Sequence, residues 1–372
     1  MDPMHQDSKA RLIAFYLPQF HPIPENDDWW GKGFTEWTNV RAAKPSFSGH
    51  HQPRVPGALG YYDLRDPVTR EAQARLASEH GIQGFCYYHY WFNGKQLLEQ
   101  PFTEVLSSGK PDFPFCLCWA NENWTRAWDG LDREILIAQD YASYDVDQHV
   151  DSLSPAFKDP RYIRVNGSPL FLIYRVDQIP ELARVLSRFR QRAAYNGIKR
   201  LYICAVRNTQ YSLTPDQTIN SGIDALVDFQ PNSKQLEFYE FSMLDHLKKL
   251  WGKCLKIAGH SSASAFLRLD YERFVSAVIK SSSSTEHVHP CVFPAWDNSA
   301  RRATGATIIQ NDEPAVFGRF LRHAIGNVSG QSAEERLVFI NAWNEWAEGC
   351  YLEPDQKNGL AFLEEIRRTV DQ

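Results

Sequence analysis

Eight short apolar runs separated by helix-sized spacers constrain this chain more than any other feature. They lie at 11–18, 83–91, 113–120, 170–175, 201–206, 225–230, 291–296 and 338–341. Runs of that length, apolar at nearly every position, read as strands buried on both faces, as in a parallel sheet. The spacers carry helix signals. Asp66-Pro67 supplies an N-cap and a first-turn proline, Ala72, Leu76 and Ala77 carry the helix on, and Gly81 stops it. Leu182, Val185, Leu186 and Phe189 recur at helical spacing before Gly197. Further helices are expected over 95–107, 144–157, 271–281, 314–325 and 360–370, with another near 244–250. Eight strands alternating with helices, without a glycine-rich phosphate turn, predict an α/β chain with a single (β/α)8 barrel over 11–372. Its long loops follow strands one and three, and a helical excursion follows strand six. An open doubly wound sheet is the rival. Residues 1–10 are polar and expected to be poorly ordered.

In such a barrel, functional groups gather where the strands end. The last run leads into Asn341-Ala342-Trp343-Asn344-Glu345-Trp346-Ala347-Glu348-Gly349, with two carboxylates three residues apart among rings and amides. On a straight strand they would face opposite sides, so they must lie in a turn beyond it. Residues three apart in a turn share a face, and carboxylates held that way stand roughly 5–6 Å apart, closer to the spacing of retaining than of inverting glycosidases. Glu345 and Glu348 are therefore the catalytic candidates. The candidates for sugar contact are Tyr16, His21 and Trp37 after strand one, Tyr88 and Tyr90 on strand two, and Trp119, Asn121, Glu122, Asn123, Trp124 and Arg126 at strand three. Tyr174 after strand four, Trp296 and Asp297 after strand seven, and Trp343 and Asn344 after strand eight complete the set. Rings offer platforms to the C–H faces of sugars, and amides, carboxylates and guanidinium groups offer directional partners to hydroxyls.

Composition narrows the alternatives. Aromatics reach 13% of the 372 residues, including 11 Trp and 16 Tyr, which favours a ring-lined cleft. A formal net charge of -5 supplies no field for a phosphate backbone, so nucleic acid is not an expected partner. No apolar stretch reaches the length of a membrane span, and the polar N-terminus lacks the apolar core of a secretory signal. Seven cysteines, most inside apolar runs, read as reduced thiols, so a cytoplasmic location is expected. No His-x-x-x-His pair and no Gly-x-Ser-x-Gly elbow occurs, so neither a metal, another cofactor nor a serine triad is expected.

Four motifs carry a resemblance. Phe15-Tyr16-Leu17-Pro18-Gln19-Phe20-His21-Pro22-Ile23-Pro24-Glu25-Asn26, Gly33-Phe34-Thr35-Glu36-Trp37-Thr38-Asn39-Val40, Cys118-Trp119-Ala120-Asn121-Glu122-Asn123-Trp124-Thr125-Arg126 and Trp343-Asn344-Glu345-Trp346-Ala347-Glu348-Gly349 resemble the WbsX group. These are bacterial proteins similar to family-99 glycoside hydrolases and associated with O-antigen and other surface polysaccharides. The resemblance runs from about Arg11 to Phe362. It implies a (β/α)8 barrel and metal-independent, retaining chemistry on mannose-like sugars. Carried over, Glu345 acts as base on the sugar 2-hydroxyl, giving a 1,2-anhydro intermediate, and Glu348 is the general acid/base. The chain departs from the hydrolases at Ala347, where they typically have histidine.

Three functions stay open on the sequence. The first is a retaining, endo-acting glycosidase of mannose-type or related sugars, or a transglycosylase, acting on a bacterial polysaccharide or its oligosaccharide intermediates. The second is a nucleotide-sugar glycosyltransferase, since members of the group have carried that label. Its only Asp-x-Asp is Asp145-Val146-Asp147, in an expected helix. The third is a glycan-binding protein without turnover.

Overall fold

The computed structural model describes residues 10–126, 131–241, 266–282, 286–302 and 305–371. In chain order these form β1 (Arg11–Tyr16), α1 (Pro24–Trp30), α2 (Glu36–Ala42), α3 (Pro67–Glu79), β2 (Gly84–Phe92), α4 (Gln100–Ser108), β3 (Phe115–Trp119), α5 (Val146–Lys158) and β4 (Ser168–Ile173). There follow α6 (Leu182–Tyr195), β5 (Tyr202–Val206), α7 (Pro215–Asn220), β6 (Ala225–Asp228), α8 (Tyr271–Ser281), β7 (Val288–Val292), α9 (Pro314–Val328), β8 (Leu337–Ile340) and α10 (Ala361–Val370). Each of these strands pairs in parallel with the next. Ala14 stands opposite Phe85, Tyr88 opposite Cys118, Trp119 opposite Ile173, Leu172 opposite Cys204, Ala205 opposite Leu226, Val227 opposite His289 and Val292 opposite Ile340. Strand β8 then pairs back onto β1, Ile340 opposite Ala14, so the sheet closes. This closed ring with helices between its strands is a (β/α)8 barrel and not an open doubly wound sheet.

Side-chain alternation sorts each strand into an inward and an outward set. Phe15 points inward, 5.6 Å from Tyr88, 5.2 Å from Phe229 and 5.6 Å from Phe339. Its neighbour Tyr16 points outward, where its hydroxyl donates to Gln73 of α3 at 2.7 Å. On β2, Tyr88 and Tyr90 face in, whereas His89 and Trp91 face α5 and pack against His149. Asp66 caps α3 by accepting from the Val68 and Thr69 amides, as its Asp-Pro start predicts.

Four local readings differ from the sequence expectation. Lys95–Leu97 is not the start of a helix but pairs antiparallel with β2, Phe92 opposite Lys95. The turn between them is Asn93-Gly94, with φ of 46° and 90°, the Asn-Gly signature of a tight hairpin. The long first loop holds α1 and α2. The loop after β3 builds a hairpin, Trp124–Arg126 against Leu131–Ile137. Strand β7 stops at Val292, and Trp296–Asp297 pair instead with Thr307–Gln310, Trp296 opposite Ile309. The helix expected near 244–250 and nearly all of the polar N-terminus lie outside the described residues. No helix among the described residues is long and apolar enough to cross a membrane.

Candidate active site

A cleft of about 340 Å³ opens at the C-terminal ends of the strands. Glu345 and Glu348 lie in it together with Arg301, Tyr88, Tyr90, Glu122, Asn123, Trp124, Tyr174 and Trp296. Trp29 and Trp30 of α1, Gln19, Asn26, Phe229 and Asn341 line it too.

The two glutamates are aimed by a small folded unit after β8. Asn344–Glu345 pair antiparallel with Cys350–Tyr351, and Trp346–Glu348 form a single 3-10 turn between them. Gly349 ends that turn at φ 59°, a conformation that favours glycine, and a Cβ there would crowd Arg54 Nε and the Asp297 Cβ at 3.0 Å. The turn brings the carboxylates to one guanidinium. Arg301 Nη1 donates to Glu348 Oε1 at 2.6 Å, and Nη2 donates to Glu345 Oε2 at 3.1 Å and to Glu36 Oε1 at 3.3 Å.

Glu345 is 6% exposed. Burial pushes its carboxyl up to about 8, with Glu348 and Glu36 adding to the rise and Arg301 opposing it. Glu36, fully buried, is raised by the same desolvation, and the charge of Arg301 and the Ala347 N–H act against it. One guanidinium facing three carboxyl groups leaves surplus negative charge in a low-dielectric pocket, so Glu345 and Glu36 retain their protons to higher pH than usual.

Several residues that the sequence suggests for sugar contact serve the scaffold instead. Asn344 is buried, accepts the Leu17 N–H at 2.8 Å and donates to the Leu17 carbonyl at 3.0 Å, so its amide extends the pairing of β8 with β1 beyond their ends. Asn121 does the same between β3 and β4, accepting from Arg175 N at 2.7 Å and donating to Arg175 O at 2.9 Å. Asp297 is 1% exposed. Its Oδ2 accepts from His50 Nε2 at 2.8 Å and Gln52 Nε2 at 2.9 Å, while Oδ1 caps the turn Asn298–Ala300 through the Ser299 amide and hydroxyl. Ser46 N–H donates to His50 Nδ1, which leaves Nε2 as the protonated nitrogen facing Asp297. Burial works to raise Asp297, but His50, Arg54 and Ser299 outweigh it and hold the carboxyl down at about 2. The capped turn delivers Arg301, so Asp297 acts one step behind the cleft.

The outward parity of Tyr16 and Trp119 takes them out of the cleft, and Trp119 stacks on Tyr144 at 5.2 Å. Trp343 is fully buried, 5.1 Å from Phe85. Trp37 donates to the Tyr62 carbonyl at 2.8 Å and packs 5.3 Å from Trp346, and His21 is buried beside the Pro18 carbonyl. Arg126 ends the strand Trp124–Arg126, and its side chain lies outside what is described. The sequence reading missed Arg301, Glu36, Trp29, Trp30 and Asn26 as site residues. Asn26, Trp29 and Trp30 share one face of α1 at helical spacing, a signal legible once that helix is recognised. Among the described residues no group of three or more His, Cys, Asp or Glu side chains stands ready for a metal ion.

Known proteins place this geometry in context. Two proteins of Xanthomonas campestris pv. campestris, from strains B100 and ATCC 33913 and each described as uncharacterized protein WxcX, are 39% identical to the chain over 365 residues. The match takes in 97% of this chain and 50% of theirs, so the chain spans about half the length of these curated relatives. Among solved structures, the GH99 endo-alpha-mannosidase from Bacteroides thetaiotaomicron superposes with a TM-score of 0.56 at 14% identity, covering 97% of this chain and 96% of that one. A glycoside hydrolase-like protein gives 0.57 at 14% identity, with 98% and 94% covered. At that identity the likeness speaks for the barrel alone. A family model described as Glycosyltransferase WbsX matches residues 12–366, and the chain belongs to that family.

Proposed function

We propose that this chain cleaves or transfers O-glycosidic bonds with retention of configuration, acting on a bacterial polysaccharide or its oligosaccharide intermediates. The observation that carries the reading is the pair Glu345 and Glu348, bridged by Arg301 in a cleft walled by Trp29, Trp30, Trp124, Tyr88 and Tyr90. Two carboxylates on neighbouring nitrogens of one guanidinium stand close, as retaining chemistry requires. In this reading ionised Glu345 removes the proton of the sugar 2-hydroxyl, and O2 attacks C1 while Glu348 protonates the departing oxygen. Glu348 then takes a proton from water or an acceptor hydroxyl as it opens the 1,2-anhydro ring at C1, and O2 recovers its proton from Glu345. The solved neighbour described as an endo-alpha-mannosidase makes α-mannosides the first substrates to try.

Transfer to a sugar acceptor uses the same steps, and the family's printed description as a glycosyltransferase favours keeping it as the second reading. Transfer from a nucleotide sugar has less support. Asp145 is spent as the N-cap of α5, accepting from the Gln148 amide, and Asp147 accepts from Arg188 Nε at 2.7 Å. A panel of defined mannose- and rhamnose-type oligosaccharides, with products followed by NMR, tests the proposal. Turnover lost in Glu348→Gln supports it. Turnover untouched by both Glu345→Gln and Glu348→Gln sinks it, calorimetric binding of a nucleotide diphosphate sugar favours the nucleotide route, and tight binding without product favours a lectin-like role.

A further inference from the structure

A third acid sits behind the pair. Glu36 opens α2, where Thr35 and Thr38 form a capping box and the Glu36 amide donates to the Gln19 carbonyl at 3.0 Å, so its backbone is fixed from both sides. Its side chain is fully buried. One oxygen, Oε1, accepts the Ala347 N–H at 2.9 Å and Arg301 Nη2 at 3.3 Å. The other, Oε2, is buried with no hydrogen-bond partner among the described residues. An acid that leaves a buried oxygen unmatched is a poor choice for stability alone, because an amide or a water-exposed acid would cap the Ala347 N–H at lower cost.

The placement has two consequences. Ala347 is the residue between Glu345 and Glu348, so the bond from Glu36 pins the backbone that spaces them. Arg301 is held by all three acids, so a charge on Glu36 competes for the guanidinium that faces the pair. We propose that Glu36 is a positioning residue for the catalytic pair, fixing the turn between Glu345 and Glu348 and sharing their guanidinium. This deepens the glycosidic reading above and rests on it for its catalytic meaning. The groups facing Glu345 are Arg301, Glu348, Glu36, Tyr88 and Tyr90 from β2, and Cys350 from the small hairpin. Of the charged ones, Glu36 is set furthest back: it does not line the cleft, whereas Glu348 and Arg301 do.

The test is a carboxyl NMR titration of the whole, ligand-free chain labelled with 13C-glutamate, with Glu345 identified by the signal lost in Glu345→Gln. Removing the Glu36 charge in Glu36→Gln lowers the Glu345 midpoint by about half a pH unit or more. Shortening the acid in Glu36→Asp lowers it less. A midpoint unmoved in whichever of the two variants folds overturns the proposal, because a Glu36 that shares the guanidinium with Glu345 must move it. On a glycan that the wild type turns over, compared at pH 9 where Glu345 is ionised in both proteins, Glu36→Gln lowers kcat by ~10²-fold with KM held within about threefold. Since the titration needs no substrate, failure to turn over any glycan counts against the glycosidic reading and leaves the coupling of Glu36 to Glu345 standing on its own result.

Discussion

Raising the pH across the range in which Glu345 titrates changes both stability and turnover. In the unfolded chain this carboxyl titrates near its ordinary 4.5, and in the folded chain it is pushed to about 8 by burial, reinforced by Glu348 and Glu36 against Arg301. Between those values the folded state holds the proton and the unfolded state has released it. The associated stability is therefore complete below about pH 4.5 and is lost as pH rises through about 8. Three and a half units at about 1.4 kcal/mol each give roughly 5 kcal/mol, an upper figure because Glu36 and Glu345 share the effect. Urea unfolding from pH 5 to 9 measures it. Wild type loses several kcal/mol over this range relative to Glu345→Gln, whose neutral amide cannot titrate, and the variant becomes the more stable protein at pH 9. Catalysis depends on the same titration. If ionised Glu345 is the base, only about 1% of the protein carries it at pH 6 and about 10% at pH 7, and because Glu348 must hold its proton at the same moment, kcat/KM follows the product of the two fractions and bends near pH 8. Parallel stability curves for wild type and Glu345→Gln would refute the electrostatic account. A kcat/KM with no inflection near pH 8 would separate catalysis from the titration of Glu345.

Other substitutions separate scaffold from cleft. Asn344→Leu strands the Leu17 amide and carbonyl and costs about 2–4 kcal/mol in thermal or urea unfolding. Trp124→Ala removes a cleft wall, raising KM for a bound glycan about 5- to 30-fold, while Tm changes by only a few degrees. Asp297→Asn removes a carboxyl held at about 2, whose contribution is present above about 3.8 and is lost as pH falls through about 2. The variant loses about 2 kcal/mol at pH 7 and has a flatter acid-unfolding curve.

The barrel was legible because its strands are buried on both faces, and continuous apolar runs such as Leu337–Ile340 announce themselves without an alignment. That Glu345 and Glu348 share one face was legible from their spacing. The walls of the cleft were less so, because residue type alone does not fix which way a side chain points. Parity separates Tyr88 and Tyr90, which face the cleft, from Tyr16 and Trp119, which do not, and that requires strand register more than composition. Asn121 and Asn344 look like sugar ligands because an amide that satisfies a neighbouring backbone carries the same donor and acceptor as one that would bind a hydroxyl. Arg301 and Glu36 reach Glu345 from 44 and more than 300 residues away, a proximity that no local pattern encodes. The Asn93-Gly94 turn went unread, because the helix pattern beyond it masked the hairpin.

The central claim is that Glu345 and Glu348 act as a retaining pair. The anomeric configuration of the first product, followed by proton NMR from the start of the reaction on a mannose-type oligosaccharide, tests it most directly. The account predicts a first-formed product with the configuration of the cleaved bond, mutarotating only later, and no product from Glu345→Gln or Glu348→Gln. A first-formed product of the opposite configuration, or full turnover by both variants, would contradict it.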